Sequence, residues 1–246
     1  FGENVPNNPL RIEEINPTPP EGYDYDSLAT EFIMQLQVSD GKLTLPSGMQ
    51  YRVLVFADFL HDLRPEILQK IKDLVQAGAT VVAPRPQRSS SLANYPECDK
   101  QVRQMADQVW GNINGQNATE NAFGKGRVYW GVPLEGILEK LNVPPDFISK
   151  NTGAADISYI HRRIDGDDFY FVSNQSQRFV HTECIFRSTG IPEKWNPESA
   201  VIENIVLYRQ ENGTTTIPLF MAPAESLFVV FKNNGKGRNW IAEARL

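Results

Sequence analysis

The sequence predicts a small open parallel α/β sheet followed by an antiparallel β-sandwich, and three observations carry that prediction. Tyr51 to Pro86 reads as one complete strand, helix and strand. Beyond Ala155 the apolar spacing changes from a period of 3.6 to short alternating runs. Those runs are separated by turn dipeptides such as Asp165-Gly166 and Asn212-Gly213.

Taken in order, Phe1 to Gly22 carry five prolines with several Asn and Glu, so residues 1–22 read as an extended linker. The first domain is expected over residues 23–150. Asp26 or Ser27 is placed to cap a helix reaching Leu36, with Leu28, Phe32 and Leu36 on one face. Asp40-Gly41 is a two-residue hairpin signal. Tyr51 to Ala57 is a nearly uninterrupted apolar run, the pattern of a strand covered on both faces. Pro65 suits a first helical turn, and Ile67, Leu68, Ile71, Leu74 and Val75 then recur at spacings of three and four. Gly78 ends that helix, and Ala79 to Ala83 is a β-branched run stopped by Pro84 and Pro86. A right-handed parallel crossover follows. Asp99 to Trp110 and Pro133 to Leu141 have helical spacing, with Arg127 to Trp130 a strand between them.

Pro144-Pro145 and the polar run from Ser149 to Ala155 mark the expected boundary, and the second domain is expected over residues 151–246. Its candidate strands are Ile157 to Ile164, Asp168 to Ser173, Arg178 to Arg187, Ala200 to Arg209, Thr214 to Phe220 and Ser226 to Lys232. Phe169, Phe171, Ile185, Ile217, Leu219, Phe228 and Val230 alternate with polar neighbours as a half-buried sheet requires. The tail from Asn233 reads as a loop entering one more strand.

Composition excludes several function classes. The net charge of −6 and the lack of a Lys/Arg block argue against nucleic acid and acidic membranes as partners. No apolar run approaches the length that spans a bilayer, and the chain begins at Phe1 without signal-peptide character, so a mature product or an excised piece is expected. Cys98 and Cys184 lack metal-ligand spacing and leave the redox compartment open. No metal or other cofactor is expected.

The search for chemistry is mostly negative. Asp58, His61 and Asp62 follow the first parallel strand, where open sheets bind ligands, but no nucleophile stands at a known spacing. Gly124-Lys125-Gly126 precedes a strand rather than joining strand to helix, so it cannot cradle phosphate. Ser89-Ser90-Ser91 lacks the glycines of a nucleophile elbow. Asp165, Asp167 and Asp168 look like a fragment of a calcium loop without its closing Glu, and read instead as a hairpin turn. Three Asn-x-Ser/Thr sequons, at Asn117, Asn174 and Asn212, matter only in a eukaryotic secretory pathway.

Several stretches together nevertheless resemble a known family. They are EGYDYDSL at Glu21 to Leu28, DGKLTLPSGMQYRVLV at Asp40 to Val55, QAGATVVAPRPQRSSSLANYPECD at Gln76 to Asp99 and GKGRVYWG at Gly124 to Gly131. ISYIHRRIDGDDFYFVSNQS at Ile157 to Ser176, FRSTGIPEKWNPES and TTTIPLFMAPAESLFVVF continue the match. In collinear order they resemble the large bacterial α-L-rhamnosidases of glycoside hydrolase family 106. The resemblance implies the region that follows the catalytic (β/α)8 barrel: a glutamine-amidotransferase-like (flavodoxin-like) α/β domain and a β-sandwich. The family's catalytic carboxylates and calcium site belong to the barrel, so no catalytic residue is carried over.

Two readings of function follow. The first is a non-catalytic accessory region of a secreted or periplasmic carbohydrate-active hydrolase, partnered by the barrel of the same parent protein and edging its substrate cleft. The second is an autonomous module that binds carbohydrate, such as an oligosaccharide, or another small ligand. Candidate binding residues are His161, Arg162, Arg163, Asn174 and Trp195. Three consecutive cationic or cationizable residues in a strand must point to both faces, so at least one needs a partner. An inter-domain salt-bridge network is the competing account of the same residues.

Overall fold

A computed structural model describes residues 16–150 and 157–232. They divide into two units, one built from the chain up to Pro20 together with Tyr25–Asn142, the other from Glu21–Asp24 together with the chain from Val143 onward. The linker expected over residues 1–22, the polar run through Ala155 and the tail from Asn233 lie largely outside the described residues.

In the first unit, helix α1 (Thr30–Gln35) leads into strands β1 (Gln37–Ser39) and β2 (Lys42–Thr44). Asp40 and Gly41 join these strands with φ of 50° and 71°, both positive as a type I′ hairpin turn demands. The short strand β3 (Gln50–Tyr51) completes a three-stranded antiparallel sheet. Helix α1 starts later than the sequence suggests, after Ala29 and with no side-chain cap, and it buries Ile33 while Phe32 stays exposed.

Strand β4 (Val53–Val55), helix α2 (Pro65–Ala77) and strand β5 (Thr80–Val82) follow, with β4 and β5 paired in parallel. Helix α2 buries the face formed by Ile67, Leu68, Ile71, Leu74 and Val75. Gly78 ends it at φ 126°, its N–H donating to the carbonyls of Leu74 and Val75. Helix α3 (Glu97–Trp110) is anchored at its end by the buried Trp110, whose indole N–H donates to the Ala83 carbonyl at 3.0 Å. Strands β6 (Glu120–Phe123) and β7 (Gly126–Tyr129) and helix α4 (Leu134–Lys140) complete the unit.

The expected amidotransferase-like or flavodoxin-like α/β class is not what this chain adopts. Among the described residues the protein is mostly β, with four sheets, 37% of those residues in strands and 19% in helices. Among the described residues parallel pairing consists of three strands of three or four residues, in the order β4-β5-β7, and one isolated bridge between Asp62 and Arg88. The physical reason lies between α3 and β7. The chain after the Asn- and Gly-rich stretch that follows α3 folds back as β6 and pairs antiparallel with β7 through Gly124-Lys125, so the sheet closes on a hairpin instead of growing by another crossover.

The second unit comprises β8 (Phe147–Lys150), β9 (Ile157–Ile164), β10 (Asp167–Asn174), β11 (Val180–Phe186) and β12 (Ile191–Trp195). Strands β13 (Ile202–Asn204), β14 (Arg209–Glu211), β15 (Thr214–Met221) and β16 (Ser226–Lys232) follow. They form two antiparallel sheets, ordered β13-β12-β16-β10-β9 and β14-β15-β11-β8. Both feed one core: Tyr170, Val172, Leu227, Val229 and Phe231 from the first sheet, and Phe147, Cys184, Phe186, Ile217, Leu219 and Met221 from the second. Two facing sheets around one core are the arrangement of a β-sandwich.

Two expectations need correction here. The run from Ala200 to Arg209 splits into β13 and β14, which belong to different sheets. In β10 and β16 the face turned to the sandwich core is the other one: Tyr170, Val172, Leu227, Val229 and Phe231 belong to the core, while of the expected residues Phe169, Phe171 and Phe228 are only partly covered and Val230 alone is buried. Apolar residues occupy both faces of these strands, so alternation alone could not select the inner one.

Close backbone approach at β7 yields a stability test. A Cβ on Gly126 would lie 2.3 Å from the carbonyl oxygens of both Ala79 and Val75, whereas one on Gly136 of α4 would meet nothing nearer than 3.9 Å. Gly126→Ala is expected to cost roughly 2–3 kcal/mol in urea unfolding. Gly136→Ala is expected to be neutral or to gain up to about 1 kcal/mol. Equal midpoints for the two variants would refute the close approach.

Candidate functional site

The period of two in β9 places His161 toward the core face and Arg162 on the opposite one. His161 is the cross-strand partner of Tyr170 and stacks on its ring, with centroids 4.0 Å apart and 6° between planes. Asp146, just before β8, and Asp168, in β10, flank the imidazole. Nδ1 lies 3.0 Å from Asp146 Oδ2 and Nε2 lies 3.2 Å from Asp168 Oδ1.

Further donors close the cluster. Arg187, immediately after β11, donates through Nη2 to Asp146 Oδ1 at 2.9 Å, and the Tyr170 hydroxyl donates to the same oxygen at 3.3 Å. The Ser188 hydroxyl donates to Asp168 Oδ2 at 2.7 Å. The Asp146 backbone is pinned as well, its N–H donating to the Gly22 carbonyl and its carbonyl accepting from Arg187 N–H. Each of the four carboxylate oxygens therefore has a donor partner.

Electrostatics follow from this geometry. Burial by itself would raise the Asp146 pKa, but the hydrogen bonds and charges of His161 and Arg187 outweigh it and hold the carboxyl below its ordinary value. Burial likewise opposes the charge on His161, and the two aspartates overcome it, so its pKa is raised to about 9. At neutral pH the cluster is an imidazolium between two carboxylates. Burial, with the nearby aspartates, drives the Tyr170 phenol far above its ordinary pKa, so it remains a neutral donor.

The remaining sequence candidates do not converge on this point. Arg163 comes within 3.9 Å of Asp168 and is largely exposed. Arg162, on the outer face, donates to the His161 carbonyl at 2.8 Å. Asn174, at the other end of β10, is only 1% exposed. Its amide donates to the carbonyls of Arg178 and Ala222 and its oxygen accepts from Ser176. Trp195 is half-buried on the outer face of the five-stranded sheet, packed edge-on against Phe169 with Lys232 Nζ 5.2 Å from its ring. In the first unit His61 contacts the Arg85 carbonyl at 3.3 Å and Trp130, while Asp62 pairs with Arg88.

Sequence reasoning overlooked Asp146, Arg187 and Ser188. The signal available was the abrupt Arg187-Ser188 after a buried strand, together with an Asp wedged between Pro145 and Phe147. Cys98 and Cys184 are buried and free, and burial pushes the Cys184 thiol up to about 12. Among the described residues no group of three His, Cys, Asp or Glu is arranged to hold a metal ion.

Comparison with known proteins gives this geometry a context. The family model for α-L-rhamnosidase of glycoside hydrolase family 106 matches residues 1–210. The chain belongs to that family. A protein of Formosa agariphila provisionally named a beta-glucuronidase is 34% identical over 247 aligned residues, which take in 100% of this chain and 20% of that protein. The solved structure of a rhamnosidase from Novosphingobium sp. PP1Y superposes with a TM-score of 0.81 at 30% identity, covering 93% of this chain and 21% of that one. The chain thus spans about a fifth of the length of these relatives. Membership of the glycoside hydrolase family supplies a carbohydrate-active context for this family 106 chain.

The charged cluster predicts how stability depends on pH. His161 has a raised pKa, so its contribution is complete below its unfolded value near 6.5 and is lost as pH rises through about 9. Asp146 has a lowered pKa, so its contribution is complete above the ordinary carboxylate range and is lost on further acidification. Melting temperature should be highest between those limits. His161→Ala should cost about 3 kcal/mol near pH 6, because two buried carboxylates lose their shared cation, and it should abolish the alkaline limb. An alkaline limb unchanged in His161→Ala would disprove this assignment.

Proposed function

We propose that this chain is a non-catalytic accessory region of a longer carbohydrate-active hydrolase, supporting a catalytic barrel elsewhere in the same polypeptide. One observation carries the reading: the most buried carboxylates of the second unit are committed to each other's cation. A general acid for glycoside cleavage needs a pKa raised toward the working pH. Asp146 is held in the opposite direction, and its side chain is 5% exposed. Asp168 has both oxygens bound to protein groups. The pair functions as an internal brace rather than as an acid and a base.

The wider comparison supports the same reading, since relatives contain this region within chains about five times its length. Their two names differ in the sugar, rhamnose in one and glucuronic acid in the other. We extend the proposal to a secreted or periplasmic location, as expected from the resemblance.

Aryl α-L-rhamnoside and aryl β-D-glucuronide test the reading directly. The 246-residue chain should hydrolyse neither above the buffer rate. Turnover that disappears in Asp146→Asn or Asp168→Asn would overturn the proposal and make the cluster an active site.

A further inference from the structure

The five-stranded sheet of the second unit is apolar on both faces, and only its inner face is accounted for by the sandwich core. Side chains directly opposite one another in neighbouring antiparallel strands stand on the same face. Following the register across the sheet, Ile160 lies opposite Phe171, Phe171 opposite Phe228, Phe228 opposite Trp195, and Trp195 opposite Ile202. One unbroken apolar row therefore crosses all five strands on the outer face. Phe171 and Phe228 touch at 5.0 Å between ring centroids. The two end residues are more than half exposed, Ile160 at 51% and Ile202 at 56%.

An outer sheet face in contact with water ordinarily carries polar side chains. A contiguous apolar row flanked by charge is the composition of an interface core with a polar rim. The neighbouring row supplies that rim at Arg162 and Glu193, on either side of Phe169 and Val230. Five strands at about 4.8 Å spacing make the row roughly 20 Å long, enough for a helix or a sheet to lie across it.

We infer that the Ile160-Phe171-Phe228-Trp195-Ile202 row is the surface through which this region docks onto another part of the same longer polypeptide. The inference rests on the accessory reading above. Two observations select this occupant. Homologous proteins place the region within chains about five times longer, so most of the polypeptide available to cover it lies elsewhere in those chains. The row ends in aliphatic β-branched side chains rather than in hydroxyl-binding groups. Its one indole has its N–H donated to Glu193 at 2.9 Å and an ammonium near its ring, leaving little for a sugar to recognise.

The test uses the 246-residue chain and the remainder of its encoded polypeptide, expressed separately and titrated by calorimetry. Ile160→Asp and Ile202→Asp change exposed positions on opposite edges of the sheet, so one remains informative if the other impairs folding. Each should weaken association at least tenfold with its urea midpoint unchanged. Phe220→Asp, at an exposed position on the other sheet, should stay within twofold of the parent chain. Undiminished association of a folded Ile160→Asp or Ile202→Asp variant would overturn the docking surface while leaving the accessory reading intact. So would loss of association in Phe220→Asp alone. A self-dimer in sedimentation equilibrium that only the row variants abolish would reassign the face to a second copy. Saturable quenching of Trp195 by a rhamno-oligosaccharide would reassign it to sugar. Failure of the unaltered chain to associate at all would overturn the accessory reading together with the inference.

Discussion

A carboxylate placed out of reach of water is the constraint on which the second unit depends. Asp146 sits between two prolines and a buried phenylalanine, where the chain enters the sandwich. An ion in that position is tolerated only when hydrogen bonds and opposite charge replace its lost hydration. The replacements come from Arg187 after β11, from His161 on β9 and from Tyr170 on β10. Strands of both sheets are thereby fixed around one atom group. The aromatic core continues the same line, with Tyr170 edge-on to Phe186 at 5.0 Å and to Phe231 at 5.8 Å. A polar brace at the rim thus leads directly into the packed interior.

Much of the local structure was legible. Pro65, the spacing from Ile67 to Val75, and Gly78 fix α2 to the residue, because helix start, buried face and stop are all local properties. The turns at Asp40-Gly41, Asp165-Gly166 and Asn212-Gly213 all have positive φ at both residues, so dipeptide chemistry alone located them. The fold class was less accessible. Whether Glu120 to Phe123 pairs with β7 is decided by partners that a linear reading cannot see, and that pairing is what stops the parallel sheet. The short strands β8 and β12 were missed for a similar reason, since four or five residues carry too little pattern to separate strand from loop.

The candidate site shows the same division. Periodicity requires His161, Arg162 and Arg163 to point to both faces and at least one of them to have a partner, without saying which. The identity of the partner was not legible, because Asp146 is 15 residues away from His161 and is brought close by the pairing of other strands. Sidedness of β10 was the sharpest ambiguity. Phe169 and Phe171 compete with Tyr170 and Val172 for the core, and the tyrosine prevails because its hydroxyl finds Asp146 there. An amphipathic sheet would have declared its inner face; one that is apolar on both sides withholds it.

Asn174 carries a practical consequence of its own. Its amide joins the end of β10 to the Arg178 turn and to Ala222 beyond β15, so three separate segments share one side chain. The same residue begins an Asn-Gln-Ser acceptor sequence for N-linked glycan transfer. A glycan attached there during synthesis would occupy the nitrogen that those carbonyls require and would stand where the chain must close. In a eukaryotic secretory host, modification and folding would compete for one atom, and the yield of native protein would be set by which arrived first. A bacterial host removes that competition.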